Sequence, residues 1–252
     1  MITVSIINLK GGTGKTTTAV NLAAELVRQG ERVLVIDADP QHNTTDFFGI
    51  EEGASLTDVM QCAVPLSEAV TRLHVPGIGE IGVLGSDMGL VTFDVSRLLG
   101  RTKEIDALDS GIYSLRNDFD FAIIDCPPCF TAASVAALRV SDAVIVPVTA
   151  DAYALDGLTE LMTQVRSLRG SELPCFALLT KSTHSRVSMQ MENELRAHSR
   201  GCRVFKQTIP ASVKVSESTF AKKPLCLYAP KNMAAISYRC FAEEFSEVIQ
   251  NG

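Results

Sequence analysis

The feature that most narrows the possible folds is the string Lys10-Gly11-Gly12-Thr13-Gly14-Lys15-Thr16-Thr17. An apolar run, Val4 to Leu9, leads into it, and Ala19, Leu22, Ala23, Leu26 and Val27 then recur at helical spacing until Gly30. Glycines let several backbone N–H groups converge on one anion, and the helix that follows adds the positive end of its dipole. Lys15 supplies a charge for the β and γ phosphates of a nucleotide, and Thr16 a hydroxyl for Mg²⁺. An ordinary tight turn needs neither residue. Arg32 to Ile36 follows as an almost continuously apolar strand, the pattern of a parallel strand covered on both faces, so a βαβ unit is complete by Asp37.

Strands of the same kind are expected at Phe121 to Ile124, Ala143 to Val146 and Cys175 to Leu179, with weaker ones at Ile81 to Leu84 and Val204-Phe205. Helical patterns separate them, and Phe241, Phe245, Val248 and Ile249 mark an amphipathic closing helix. The alternation predicts an α/β fold with a doubly wound, mostly parallel sheet flanked by helices. At 252 residues the chain suits one such domain over 1–252. The stretch from Gly49 to Gly79 fits either a helix pair or an irregular excursion.

Acids stand where an open α/β sheet binds ligands, at the carboxyl ends of strands. Asp37 and Asp39 follow the second strand, and Asp125 ends Phe121 to Ile124. In a phosphate-loop protein an acid ending an apolar strand anchors magnesium, whereas the plain alternative for all three is capping of the next turn. Guanine-reading proteins carry an Asn-Lys-x-Asp string after a later strand. The corresponding stretch here is Thr180-Lys181-Ser182-Thr183, without the carboxylate, which favours ATP.

A second lysine, Lys10, opens the loop. With it the sequence resembles the deviant Walker A ATPases, the group of ParA and Soj partition proteins, MinD and the nitrogenase iron protein. The resemblance to the ParA/Soj branch spans nearly the whole chain. It includes Asp37-Ala38-Asp39-Pro40-Gln41 as switch I, Asp125 as Walker B, the stretch from Pro147 to Leu158, and Ile209-Pro210-Ala211-Ser212-Val213-Lys214-Val215-Ser216-Glu217 with Lys222-Lys223-Pro224. Ala211 and Lys222 depart from it, replacing an arginine and a glycine.

The resemblance implies a homodimer closed around ATP and Mg²⁺, with Lys10 reaching the partner subunit's nucleotide. Asp39 would activate water, Thr16, Asp37 and Asp125 would organise the metal, Gly11 to Thr17 would hold phosphate, and Thr180 and Pro210 would hold adenine. It further implies partition of plasmid or chromosomal DNA, with hydrolysis stimulated by a ParB-like adaptor. The alternative within the family is positioning of another cargo, such as a secretion, conjugation or cellulose-synthesis assembly. Outside it stands a small-molecule ligase or kinase, for which the sequence offers no separate set of acid, base and acceptor-binding residues.

Composition trims these choices. No run of about eighteen apolar residues is present to span a membrane. Glu243, Glu244 and Glu247 make the closing helix unsuited to an anionic membrane, and no helix-turn-helix precedes Met1, so a cytoplasmic, nucleoid-associated protein is expected. Seven scattered cysteines read as free thiols, the Cys126-Pro-Pro-Cys129 string included. The net charge is −6, yet Lys181 to Lys231 holds ten basic and three acidic residues. That segregation points to a non-specific duplex DNA surface drawn from Lys181, Arg186, Arg196, Arg200, Arg203, Lys206, Lys214, Lys222 and Lys223, with Lys214, Arg203 and Lys223 foremost.

Overall fold

Five-residue runs such as ITVSI, VLVID and FAIID can be buried only if both faces of the strand are covered, because successive side chains point to opposite sides. The computed structural model, which describes residues 1–98, 106–151, 153–169, 173–183, 185–199 and 201–251, shows them at the centre of one sheet. In chain order the elements are β1 (Ile2–Ile6), α1 (Lys15–Arg28), β2 (Val33–Asp37), α2 (Asn43–Phe48), α3 (Leu56–Met60), α4 (Leu66–Ala69), β3 (Thr71–Val75), β4 (Gly79–Leu84), α5 (Gly89–Leu98) and α6 (Asp106–Ser114). The second half holds β5 (Phe121–Asp125), α7 (Ala132–Val140), β6 (Ala143–Thr149), α8 (Ala154–Arg169), β7 (Cys175–Thr180), α9 (Arg186–His198), β8 (Arg203–Val204), α10 (Val213–Phe220), α11 (Leu225–Tyr228) and α12 (Met233–Asn251).

The strand order is β3-β4-β2-β5-β1-β6-β7-β8, parallel throughout except for the β3–β4 pair. One face is covered by α1 and α12, whose Ala19, Leu22, Leu26, Phe241 and Phe245 pack on Val4, Ile6, Val33 and Val35. The other face carries Leu34, Ile36 and Ile124 against side chains of α3, α5, α7 and α8, including Phe93, Ala136 and Leu161. Phe205 extends the first layer, its ring 5.3 Å from Phe176 and 4.9 Å from Phe241.

The Gly49 to Gly79 stretch resolves into the short helices α3 and α4 and the edge strand β3. A Ser55/Asp58 capping box starts α3. Gly77 and Gly79, at φ +82 and +140, turn the chain so that β3 runs antiparallel to β4. This hairpin went unread in the sequence because TRLHV buries no residue completely and lacks the all-apolar signature of the central strands. β1 is shorter than the apolar run suggests. It ends at Ile6, and Ile7, Asn8 and Leu9 open the loop instead.

Candidate nucleotide site

The loop between β1 and α1 contains two glycines in the left-handed region, Gly12 at φ +74 and Gly14 at φ +93. Gly14 caps α1 without a side chain, and the first intrahelical bond runs from the Thr18 N–H to the Gly14 carbonyl. The N–H groups ahead of it belong to the open first turn, which attracts anions. Lys15 lies beside this turn, 8% exposed, with Nζ 3.4 Å from the Lys10 carbonyl oxygen to which it donates. Burial pulls its pKa down, and the carboxylates of Asp125 and Asp39 pull it back up.

Thr16, the next residue of α1, donates its hydroxyl to Asp125 Oδ2 at 2.7 Å, and Thr44 of α2 donates to the same oxygen at 2.8 Å. The other oxygen, Oδ1, is buried with no hydrogen-bond partner. Asp125 also stands next to Asp37 in the register of β5 and β2. Burial raises both carboxyl pKa values, and the charge of Asp37 adds to the rise at Asp125. Two buried neighbouring acids with one oxygen unsatisfied constitute a site that favours a cation. The donor set, a threonine hydroxyl and a carboxylate at the end of a phosphate loop, fits Mg²⁺, which keeps most of its water and takes few protein ligands.

Asp37 is engaged differently. Its Oδ1 accepts from the Asp39 N–H at 3.1 Å, and its Oδ2 from the N–H and hydroxyl of Thr45 at 2.8 and 2.7 Å. Both oxygens thus hold the segment after β2, and the residue faces Asp125 across the β2–β5 pair. Asp39 is carried on the same segment. Its Oδ1 accepts from the Gln41 N–H at 2.9 Å and its carbonyl from Ser86 Oγ at 2.7 Å. It is 8% exposed, close enough to Lys15 to act on that lysine's charge.

Lys10 is engaged within its own chain. Its ammonium pairs with Asp151 of the same chain, which also accepts from Thr149 Oγ1 and the Tyr153 N–H. The pair is half exposed, 51% at Lys10 and 35% at Asp151.

Thr180, at the end of β7, donates its hydroxyl to the Thr13 carbonyl at 2.7 Å. Beside it opens a cavity of about 450 Å³, lined by Gly14, Thr17, Thr180, Lys181, Pro210 and Tyr238 among others. Its size suits a nucleoside, and it adjoins the phosphate loop. The structure therefore brings Gly11 to Thr17, Asp39, Asp125, Thr180 and Pro210 to one end of the sheet.

The basic residues are not gathered in the same way. Arg203 pairs with Phe176 at the beginning of β7, whereas Pro210, which leads into α10, is bridged to Ser182 just beyond its end. Arg203 and Lys214 thus flank opposite ends of β7. Lys214 pairs with Glu217 at 2.7 Å, and Arg196 is occupied by Glu192 and the carbonyls of Phe205 and Lys206. Lys222 and Lys223 are exposed at the end of α10. Lys222 has φ +51, the conformation that the glycine it replaces adopts without strain. Arg200 lies outside the described residues.

Sequence reasoning missed Thr44 and Asp151, and it read Lys181 as part of a DNA surface where the structure sets its ammonium on the Gly12 carbonyl. Thr44 stands five positions after Asp39 in a run of polar residues, Gln41 to Asp46, and nothing in that run singles it out. Asp151 is distant from the loop in sequence and meets it only through the β1–β6 pairing.

Residues 1–175 match the family described as an AAA domain. The chain is similar to the chromosome partitioning protein ParA of Caulobacter vibrioides, with 35% identity over 95% of this chain and 92% of the relative. Among solved structures, McdA of Cyanothece in complex with ATP is similar at a TM-score of 0.82 and 25% identity, covering 98% of this chain and 96% of that one. Cobyrinic acid a,c-diamide synthase from Mycobacterium smegmatis with bound ADP and magnesium reaches 0.79 at 27% identity, covering 96% and 93%.

Proposed function

Because the chain belongs to the ParA family of P-loop ATPases, we propose that it is an ATP-driven dimer switch that positions DNA for partition. The similarity to a chromosome partitioning ParA across 95% of the chain carries the choice of DNA as cargo. The buried, half-satisfied Asp125 beside Thr16 supports the ATP and Mg²⁺ assignment.

In this reading the N–H groups of Gly11 to Thr17 and the Lys15 ammonium hold the phosphates, while Thr180 and Pro210 border the base. Thr16 and Asp125 would hold Mg²⁺, with Asp37 orienting the loop that faces them. The chemistry it would supply there is neutralisation of phosphate charge. Asp39 orients the attacking water and draws its proton. Lys10 leaves Asp151 and meets the partner subunit's nucleotide, so closure of the dimer reports that ATP is bound. The dimer then presents two copies of the surface around Lys214 and Lys223 to one duplex, and a ParB-like adaptor speeds hydrolysis and release. Two weak patches on one ligand gain effective concentration, which lets ATP set DNA affinity without touching DNA.

Fluorescence anisotropy of a random-sequence duplex at low salt tests the cargo. Binding with ATP and Mg²⁺ but not with ADP supports the reading, and no binding in either state refutes it. A second reading, positioning of a protein cargo by the same engine, is favoured by the pairing of Lys214 with Glu217 and by the distance of Arg203 from the α10 surface, which leave fewer free charges than the sequence promises.

A further inference from the structure

Two consecutive residues at the end of β7 each hold a carbonyl of the phosphate loop. Thr180 Oγ1 donates to the Thr13 carbonyl at 2.7 Å, and Lys181 Nζ donates to the Gly12 carbonyl at 2.6 Å. A trans peptide is planar, with its C=O and the following N–H pointing in opposite directions. Fixing the Gly12 and Thr13 carbonyls toward β7 therefore turns the N–H groups of Thr13 and Gly14 away from it. These are N–H groups of the loop that must converge on phosphate.

Lys181 adopts φ +52, a conformation disfavoured for a lysine. The Ser182 N–H donates to the Ile209 carbonyl and Ser182 bridges to Pro210, which fixes the backbone immediately after Lys181. The side chain is thereby carried back over the loop, and it lines the cavity of about 450 Å³ with Pro210 and Tyr238. Its charge belongs to the basic stretch that the sequence assigns to a DNA surface. In the fold that charge is spent on Gly12.

We propose that Lys181 is a nucleotide-positioning residue. Its ammonium presets the phosphate loop for an anion, and its aliphatic stem walls the nucleoside cavity. This rests on the assignment of the loop as the ATP site. Presetting lowers the ordering cost that binding otherwise carries, so the residue contributes to affinity without a required contact to phosphate.

Calorimetric titration of the full chain with pyrophosphate and with ADP, each with Mg²⁺, separates the two roles. Lys181→Met keeps the stem and loses the ammonium. It should weaken pyrophosphate and ADP alike, by roughly three- to tenfold for loss of one charged hydrogen bond at an exposed site. Lys181→Arg should restore most of this. Lys181→Gly accepts the positive φ but removes the stem, so it should weaken ADP further than pyrophosphate, with the thermal midpoint of the nucleotide-free protein undiminished.

Unchanged pyrophosphate affinity in Lys181→Met would overturn the presetting role. Loss of duplex affinity with nucleotide affinity intact would return the lysine to the DNA surface. Failure of the wild-type protein to bind either probe would instead refute the nucleotide site itself.

Discussion

Replacing Asp151 with Asn should tighten the ATP-dependent dimer. In the proposed dimer Lys10 reaches the partner's nucleotide only after leaving Asp151, and with two-fold symmetry that release occurs twice. The pair is 51% and 35% exposed, so it falls in the class of surface ion pairs worth about 0.2–1 kcal/mol each. Two of them oppose closure by about 0.4–2 kcal/mol, which corresponds to roughly a two- to thirtyfold lower dimer dissociation constant when they are removed. Asparagine keeps an amide oxygen at the Oδ1 position for the Tyr153 N–H, and its NH₂ in place of Oδ2 donates to the Thr149 hydroxyl, so the local turn is retained. Sedimentation velocity across a concentration series, with ATP and Mg²⁺ in an Asp39→Ala background to prevent turnover, reads the constant directly. Lys10→Ala in the same background should stay monomeric. An Asp151→Asn protein that dimerised more weakly than its parent would refute the reasoning, because it would place Asp151 among the groups that hold the dimer together.

Lys15→Ala should abolish measurable ATP binding in calorimetry while the protein remains folded by circular dichroism, because Lys15 is partly desolvated even before nucleotide arrives. Lys214→Glu and Lys223→Glu should each weaken every duplex sequence and flatten the salt dependence, by about one unit of slope per lost phosphate contact, whereas Arg203→Glu should do less; equal effects of all three in anisotropy titrations would contradict the placement of Arg203 at the opposite end of β7. Phe205→Ala removes a ring that is 2% exposed and packed between Phe176 and Phe241, so urea unfolding should show a loss of about 3–5 kcal/mol.

The central sheet was legible because its strands must be apolar on both faces, and the loop because Lys15-Thr16 follows glycines at the start of a helix. The acids Asp37, Asp39 and Asp125 were legible by position alone, at the ends of strands that the apolar runs mark. What sequence could not show is how side chains are divided among tasks. Asp37 and Asp125 look equivalent in the chain, yet one spends both oxygens on the segment from Asp39 to Thr45 and the other keeps one oxygen free. The basic stretch divides for a related reason. Lys181, Arg196, Arg203 and Lys214 are close in sequence, but the end of β7, α9, β8 and α10 send them to the phosphate loop, the Phe205 carbonyl, the start of β7 and Glu217 respectively. The edge strand β3 was invisible because one of its faces is open and its apolar signal is correspondingly weak.

The central claim is that ATP closes two chains into one dimer and that Asp39 is needed to open it again. Light scattering on Asp39→Ala after gel filtration in ATP and Mg²⁺ tests this most directly. The account predicts a stable species near twice the 27.1 kDa of one chain, which reverts to a single chain when ADP replaces ATP. A species of 27.1 kDa that holds ATP without dimerising would contradict it.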